Sequence, residues 1–350
     1  MGDKRLGIGV VGTGMAATPH ARALADLADR VRVRGVFSRD PENRRAFADR
    51  FGFPAVASID ALADDPDIGA VILITPPNAR LELVRRFAEA GKHILMEKPV
   101  ERTTTAAEEI VRLCADNGVT LGIVFQHRFR RASQALKLHV DSGALGPVGV
   151  VRVSVPWWRE QAYYDEPGRG SYERDGGGVL ISQAIHTLDL MLSLAGPVAE
   201  VQAVAATTPF HDMESEDFVA GGLRFQNGAS GAVMATTAAY PGAAEWIALH
   251  CEKATAHLEA GTLTVSWRDG RVETAGEPAG TGGGADPMAF PHDWHRDLIG
   301  DFVAALEEGR APTVSGRDAL GVHRLIDALV QSSRIRRAVT LTDRRLDDPA

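Results

Sequence analysis

Residues 6–17 read Leu-Gly-Ile-Gly-Val-Val-Gly-Thr-Gly-Met-Ala-Ala. An apolar run, Leu6 to Val11, leads directly into Gly12-Thr13-Gly14-Met15-Ala16-Ala17. That is a strand, a tight turn and the start of a helix, in the G-x-G-x-x-A form of a dinucleotide-binding turn. Each residue type has a physical reason. Gly12 lets the chain reverse sharply after the strand, Gly14 lets a pyrophosphate approach the backbone, and Ala17 lets the helix pack close to the strand. The N–H groups that open the helix then face the phosphates. Gly12, Thr13, Gly14, Met15 and Ala16 are therefore candidate cofactor contacts, for NADP or NAD.

The next hundred residues alternate strand and helix patterns. Val31 to Phe37 reads as a strand. Pro41 to Phe51 reads as a polar helix, with Asp40 as its cap and Pro41 in its first turn. Gly69 to Thr75 (GAVILIT) is the unbroken apolar run expected of a parallel strand buried on both faces. Asn78–Ala90 and Thr103–Asn117 have helical period, and His93–Met96 and Leu121–Phe125 read as strands. This predicts an α/β fold with a doubly wound parallel sheet over residues 1–125.

From residue 126 to 350 the pattern changes. A helix (132–142), a strand (148–156), a loop rich in aromatics and charge, and a helix (178–194) are followed by short alternating strands over 198–267. Helices at 292–308 and 315–335 close the chain. Strands following a parallel unit in this way predict a second, α+β domain with a large, mostly antiparallel open sheet. The glycine-rich stretch 276–287 reads as a mobile surface loop.

Composition narrows the function classes. A net charge of −8 argues against nucleic acid or an anionic membrane as partner. No apolar stretch reaches the roughly 18 residues needed to span a bilayer. The start, MGDKR, leads into the glycine turn rather than into a cleavable apolar segment. With two distant cysteines, Cys114 and Cys251, the expected state is two thiols in the cytoplasm.

At the end of the second strand, where Asp or Glu usually holds a ribose 2′-hydroxyl, this chain has Ser38 and then Arg39. A hydroxyl and a guanidinium fork suit a 2′-phosphate, and hence NADP. The competing reading has Arg39 stacked on adenine or solvated. The loop 157–175 offers Trp157, Trp158, Tyr163, Tyr164 and Tyr172 with Arg159, Arg169 and Arg174. It lines a substrate pocket or, for the two tryptophans with equal weight, covers the core. His292 and His295 in PHDWH read as a solvent-facing helix start, and no metal is expected.

Taken together, GTGMAATPHARAL (12–24), TPPNA (75–79), Met96-Glu97-Lys98-Pro99, GGGVLISQAIHTLD (176–189) and DFVAALEEGRAPTVSGRDAL (301–320) resemble the Gfo/Idh/MocA family of oxidoreductases. The resemblance runs from about Leu6 to Leu341. It implies an NAD(P)-dependent dehydrogenase acting on a CH–OH group of a sugar, polyol, sugar nucleotide or related cyclic alcohol. Thr75, Pro76, Asn78 and Glu97 would join the cofactor contacts. Lys98 would lie near the nicotinamide and the reacting carbinol, where an ammonium offsets alkoxide charge. His186 would be the general acid/base, a role imidazole suits near neutral pH.

The chain departs from the family pattern at several points. Ser182, followed by Gln183, stands where members commonly have Asp, which bears on the substrate more than on the fold. Arg80 replaces a frequent histidine and reads as solvated at a helix start. Arg128 follows His127, itself a departure, and either approaches the cofactor's carboxamide or the substrate or forms a structural salt bridge. Tyr164 and Arg169 are the better candidates for substrate contact, beside Lys98, Ser182, Gln183 and His186. Members commonly assemble through the open sheet, which implies a homodimer or homotetramer. Two other classes are a redox-neutral glycoside cleavage using bound NAD, whose T-H-x-x-G-P pattern HTLD (186–189) does not match, and a cofactor-binding protein without turnover, which retention of Lys98 and His186 argues against.

Overall fold

The computed structural model describes residues 4–280 and 290–341. The chain forms two compact units. Among the described residues, the first comprises 4–126 and 291–319, the second 127–280, 290 and 320–341.

In the first unit, β1 (Leu6–Val11), β2 (Val31–Phe37), β3 (Ala70–Leu73), β4 (His93–Glu97) and β5 (Leu121–Val124) form one parallel sheet in the order β2-β1-β3-β4-β5. β3 and β5 are buried along their whole length, which explains their unbroken apolar sequences. Strand order reverses between β1 and β3. A ligand crevice is expected at that switch point, outside the carboxyl ends of the strands. Asp40 caps helix Pro41–Phe51 as expected, its carboxylate accepting from the Glu42 and Asn43 N–H groups. Gly52 closes that helix in the left-handed conformation.

A division into two contiguous domains at residues 125/126 does not describe these units, because helix Asp293–Glu308 returns to the first. The reason is its apolar stripe. Trp294, His295, Leu298, Ile299 and Phe302 are buried, and the helix packs on helix Ala17–Asp26 and on β5.

Among the described residues of the second unit, nine strands form one sheet in the order β13-β12-β11-β10-β6-β9-β8-β7-β14. They are β6 (Val148–Pro156), β7 (Val198–Ala206), β8 (Phe218–Phe225), β9 (Ser230–Thr236), β10 (Trp246–Cys251), β11 (Ala254–Glu259), β12 (Thr262–Trp267), β13 (Val272–Gly276) and β14 (Val339–Thr340). All neighbours are antiparallel except β6 and β9. β13 and β14 escape a reading of sequence period, since β13 alternates only between exposed and half-buried positions and β14 has two residues.

Helices Arg131–Asp141 and Ile185–Ala195 pack against this sheet, the first on β11, β12 and β13 and the second on β6 and β10. Val151, Val153, Val233, Val219, Leu223 and Val201 are buried. Residues alternating with them point the other way. Their cross-strand rows are Arg152–Ala232–Gly222–Gln202 and Met234–Ala220–Val204. Val204 is 63% exposed, so this small, largely apolar face is open within the described chain.

From residue 281 on, the expected mobile loop at 276–287 lies outside the described residues. Cys114 and Cys251 are buried free thiols whose pKa values burial raises to about 12 and about 11. Among the described residues no helix is long and apolar enough to cross a membrane.

Candidate functional site

The turn after β1 has the geometry a dinucleotide needs. Gly12 has φ 107°, and a Cβ there would meet the Ile74 carbonyl oxygen at 2.4 Å, so only glycine fits. A Cβ on Gly14 would meet nothing within 4 Å, which leaves its backbone open to a ligand. Ala17 is buried, as close packing on the sheet requires. Among the described residues no side chain caps helix Ala17–Asp26, so no side-chain cap bond there competes for the N–H groups of its first turn. At the end of β3, the Thr75 hydroxyl oxygen is buried and has no hydrogen-bond partner among the described residues. Open glycine backbone, an uncapped helix start and an orphaned hydroxyl fit a bound dinucleotide. Thr13, Met15, Ala16, Pro76 and Asn78 flank this edge, with Met15, Pro76 and Asn78 exposed.

At the end of β2, the Ser38 hydroxyl donates to the Asp40 carbonyl oxygen and Arg39 is exposed. Both carboxylate oxygens of Asp40 are engaged within helix Pro41–Phe51, one by backbone N–H groups and the other by the Asn43 amide.

Glu97 ends β4 and Lys98 follows it directly. The peptide between Lys98 and Pro99 is cis. The Glu97 carboxylate meets His20 Nε2 at 2.8 Å and accepts the Lys98 backbone N–H at 3.2 Å. Burial alone would raise the Glu97 pKa. The His20 hydrogen bond and the nearby charge of His20, His295 and Lys98 outweigh burial and lower it to about 2. His295 Nε2 lies 3.9 Å from the same carboxylate, and its ring meets that of His20 edge-on, centroids 4.8 Å apart. Its pKa is pushed down to about 3, first by burial and then by His20. His295 thus faces inward, contrary to the solvent-facing reading of PHDWH, because it lies on the helix's apolar stripe. His292 does lie at the surface, paired with Asp26.

Arg80 is likewise not solvated. It is 2% exposed, and its guanidinium donates to the backbone carbonyls of Thr75, Glu97, Lys98 and Pro99. Burial lowers its pKa to about 10, against the raising influence of Glu97 and Glu101. The guanidinium ties together the chain ends that follow β3 and β4, the two segments carrying Thr75 and Lys98.

In the second unit, Gly178 of the glycine run 176–178 is required by contact. A Cβ on Gly178 would lie 1.7 Å from the Glu216 carbonyl oxygen. That oxygen accepts the Val179 N–H, while the Glu216 carboxylate accepts from Gly178 and Leu180. The single helix expected over 178–194 is instead a π turn, Leu180–Ala184, followed by α-helix Ile185–Ala195. Such turns recur at functional sites. Ser182 and Gln183 lie in the wide turn, and His186 follows it directly.

His186 is 7% exposed, and its ring stacks on that of His127, centroids 4.8 Å apart with 26° between planes. Arg128 forms a salt bridge: Nε and Nη2 each meet an Asp189 carboxylate oxygen at 2.7 Å. Gln183 donates to the Tyr163 hydroxyl, which also accepts from Arg169 Nη1 at 3.1 Å. The Arg169 guanidinium lies over the Tyr163 ring and also pairs with Glu166. The Gln183 carbonyl oxygen is buried without a partner among the described residues. Tyr164 is buried and its hydroxyl is engaged by Thr237 Oγ1 at 2.6 Å, so Tyr163 is the tyrosine that meets Gln183 and Arg169. Trp157 is buried with its indole N–H on Glu245.

Residue type alone did not reveal His20, nor the buried positions of Arg80, His127 and His295. Arg80 and His295 had a signal in their spacing, since Arg80 shares a stripe with Val84, Phe87 and Ala88.

Comparison with known proteins adds the following. Residues 6–125 match the model of an oxidoreductase family with an NAD-binding Rossmann fold, and residues 133–257 match the GFO/IDH/MocA C-terminal domain. The chain is 27% identical to inositol 2-dehydrogenase of Rhizobium meliloti over 95% of this chain and 98% of that protein. Among solved structures, the WlbA dehydrogenase of Chromobacterium violaceum, in complex with NADH and UDP-GlcNAcA, has a TM-score of 0.83 and 29% identity, covering 99% of this chain and 98% of the other. A levoglucosan dehydrogenase in complex with NADH and levoglucosan has a TM-score of 0.85 and 25% identity, covering 96% and 99%.

Proposed function

The chain belongs to the Gfo/Idh/MocA family of NAD(P)-dependent oxidoreductases, and from that premise we propose how its own residues carry out hydride transfer at a carbinol carbon of a sugar, inositol, sugar nucleotide or related cyclic alcohol. The observation that carries the reading is the π turn Leu180–Ala184 directly before His186, in which the side-chain carbonyl oxygen of Gln183 is buried and has no partner among the described residues. An acceptor of that kind calls for a hydroxyl donor, and a polyol or sugar supplies several.

In this reading the turn Gly12–Ala16, Ser38, Arg39, Thr75, Pro76, Asn78, Glu97 and Lys98 hold the dinucleotide. When bound, the nicotinamide accepts or returns the hydride. His186 takes the hydroxyl proton as the carbinol C–H bond breaks, leaving a carbonyl, and returns the proton in reduction. Lys98 hydrogen-bonds the reacting oxygen and offsets its developing negative charge. Arg80 fixes the backbone on both sides of Lys98. Ser182 and Gln183 bind substrate hydroxyls, and Tyr163 and Arg169 stand behind Gln183. Arg128 orients the His186 helix through Asp189.

For the cofactor we infer a preference for NADP. Ser38 and Arg39 end β2, and the neighbouring carboxylate, Asp40, is consumed as a helix cap, which leaves it poorly placed to take a ribose hydroxyl. The protein is proposed to act as a homodimer or homotetramer through the open sheet face. A panel of inositols, sugars and sugar nucleotides, read at the reduced-nicotinamide absorbance with both cofactors, tests the reading. Turnover of a cyclic polyol or sugar is expected. Activity confined to acyclic or non-hydroxylated compounds would overturn it.

A further inference from the structure

The stacked pair His127 and His186 has a chemical consequence that follows from what lies behind it. His127 is buried on the short segment Gln126–Phe129. Its Nε2 is hydrogen-bonded to Arg130 Nη2. A guanidinium only donates, so Nε2 must accept. The His127 ring is therefore neutral, with its proton on Nδ1. Arg130 is itself fixed by a buried ion pair, Nη1 to Glu245 Oε1 at 2.6 Å, and Glu245 also holds the Trp157 indole N–H.

We propose that His127 is a positioning residue for the acid/base His186: a neutral imidazole, locked in one tautomer by Arg130, that fixes the plane of the His186 ring and raises its proton affinity. The inference rests on the reading of His186 as the general base. When His186 takes the substrate proton it becomes a cation lying over a neutral π face, an attractive arrangement. Were His127 free to protonate, the two rings would repel. The arrangement supplies support for the imidazolium at a point where Ser182, one turn earlier, carries no charge.

Charged groups in contact with the pair's own segments include the Arg130–Glu245 and Arg128–Asp189 pairs. The buried side chains of the elements packed on helix Ile185–Ala195 are uncharged there: Val151, Val153 and Val155 of β6, Ile247 and Leu249 of β10, and Ala132, Ser133 and Leu136 of helix Arg131–Asp141.

The test is a titration of imidazole nitrogens by NMR on the 350-residue chain with histidine labelled in the side chain, in the presence of NADP. The His186 signals are assigned by their loss in His186→Ala. His127→Leu, which fills the volume without a π face, should lower the His186 midpoint by roughly 0.5–1.5 pH units. His127→Phe, which restores a flat ring, should return it to within about 0.3 units of wild type, given that ring stacking carries the effect. In wild type, His127 should show one unprotonated nitrogen throughout. A structural role alone would lower thermal stability in both variants and move neither midpoint. Equal midpoints in the Leu and Phe variants, or a His127 that titrates near neutrality, would overturn the proposal. Separately, full turnover by His186→Ala would refute the general-base reading while leaving the ring coupling measurable.

Discussion

Arg80 donates to the Thr75 carbonyl oxygen through both Nε, at 3.0 Å, and Nη2, at 2.7 Å. Its Nη1 reaches on to Glu97 and Pro99, so one buried guanidinium satisfies carbonyls on both sides of the gap between β3 and β4. Removing it would orphan those oxygens and leave the charge of Glu97 and Glu101 less compensated. Arg80→Ala should therefore cost about 3–5 kcal/mol in urea unfolding. Arg80→Lys should recover only part of that, because an ammonium lacks the planar fork needed to bridge the two segments. A loss below about 1 kcal/mol in the alanine variant would show that water replaces the clamp without penalty.

Acid stability should be governed in part by Glu97 and His295. The Glu97 carboxyl is depressed to about 2, so its contribution is present above its ordinary value near 4.5 and is lost as pH falls toward 2. His295 is depressed from 6.5 to about 3, so between those values the unfolded chain binds a proton that the folded chain refuses. Both signs agree: stability falls as pH drops from about 6.5 toward 2. His295→Leu should flatten the upper part of that slope, between pH 6.5 and 3. Unfolding midpoints measured across this range check it, and an unchanged slope in the variant would assign the acid sensitivity elsewhere.

Cofactor preference can be read from Arg39. If it grips a 2′-phosphate, Arg39→Ala should weaken NADP by roughly 1.5–3 kcal/mol while sparing NAD. Fluorescence titration of both cofactors against both proteins measures this. Equal weakening of the two would mean that Arg39 only stacks on adenine, and tighter NAD binding by wild type would reverse the preference.

The rows Arg152–Ala232–Gly222–Gln202 and Met234–Ala220–Val204 leave the second sheet with a flat, small-residue face. A face of this kind suits a self-complementary interface. Light scattering at micromolar concentration should give a dimer or tetramer of the 37.4 kDa chain. Ala220→Glu, which sets like charges against each other across a two-fold axis, should shift the population toward monomer. A wild-type monomer at those concentrations would refute the interface.

Much of the fold is legible because two signals are strong and local. The run Leu6 to Val11 before Gly12, and the two-sided apolar strand at Ala70–Leu73, leave little choice but a parallel sheet. The alternation in β6 to β12 similarly fixes which face is buried. What escaped reading has a shared cause. Arg80 and His295 are polar residues on apolar helical stripes, and residue type outweighed position. The π turn at Leu180–Ala184 has no residue that announces it, since it arises where Glu216, far along the chain, grips Gly178 and Leu180. His127 gains its role only when the chain folds back to set it on His186. The return of helix Asp293–Glu308 to the first unit likewise depends on which surface its stripe meets.

The central claim, that His186 moves the substrate proton, is tested most directly by the single-turnover rate of His186→Ala on a substrate identified in the panel, with cofactor affinity measured in parallel. The account predicts a fall of about 10²–10⁴-fold in rate with cofactor binding unchanged. A rate within a few-fold of wild type would contradict it.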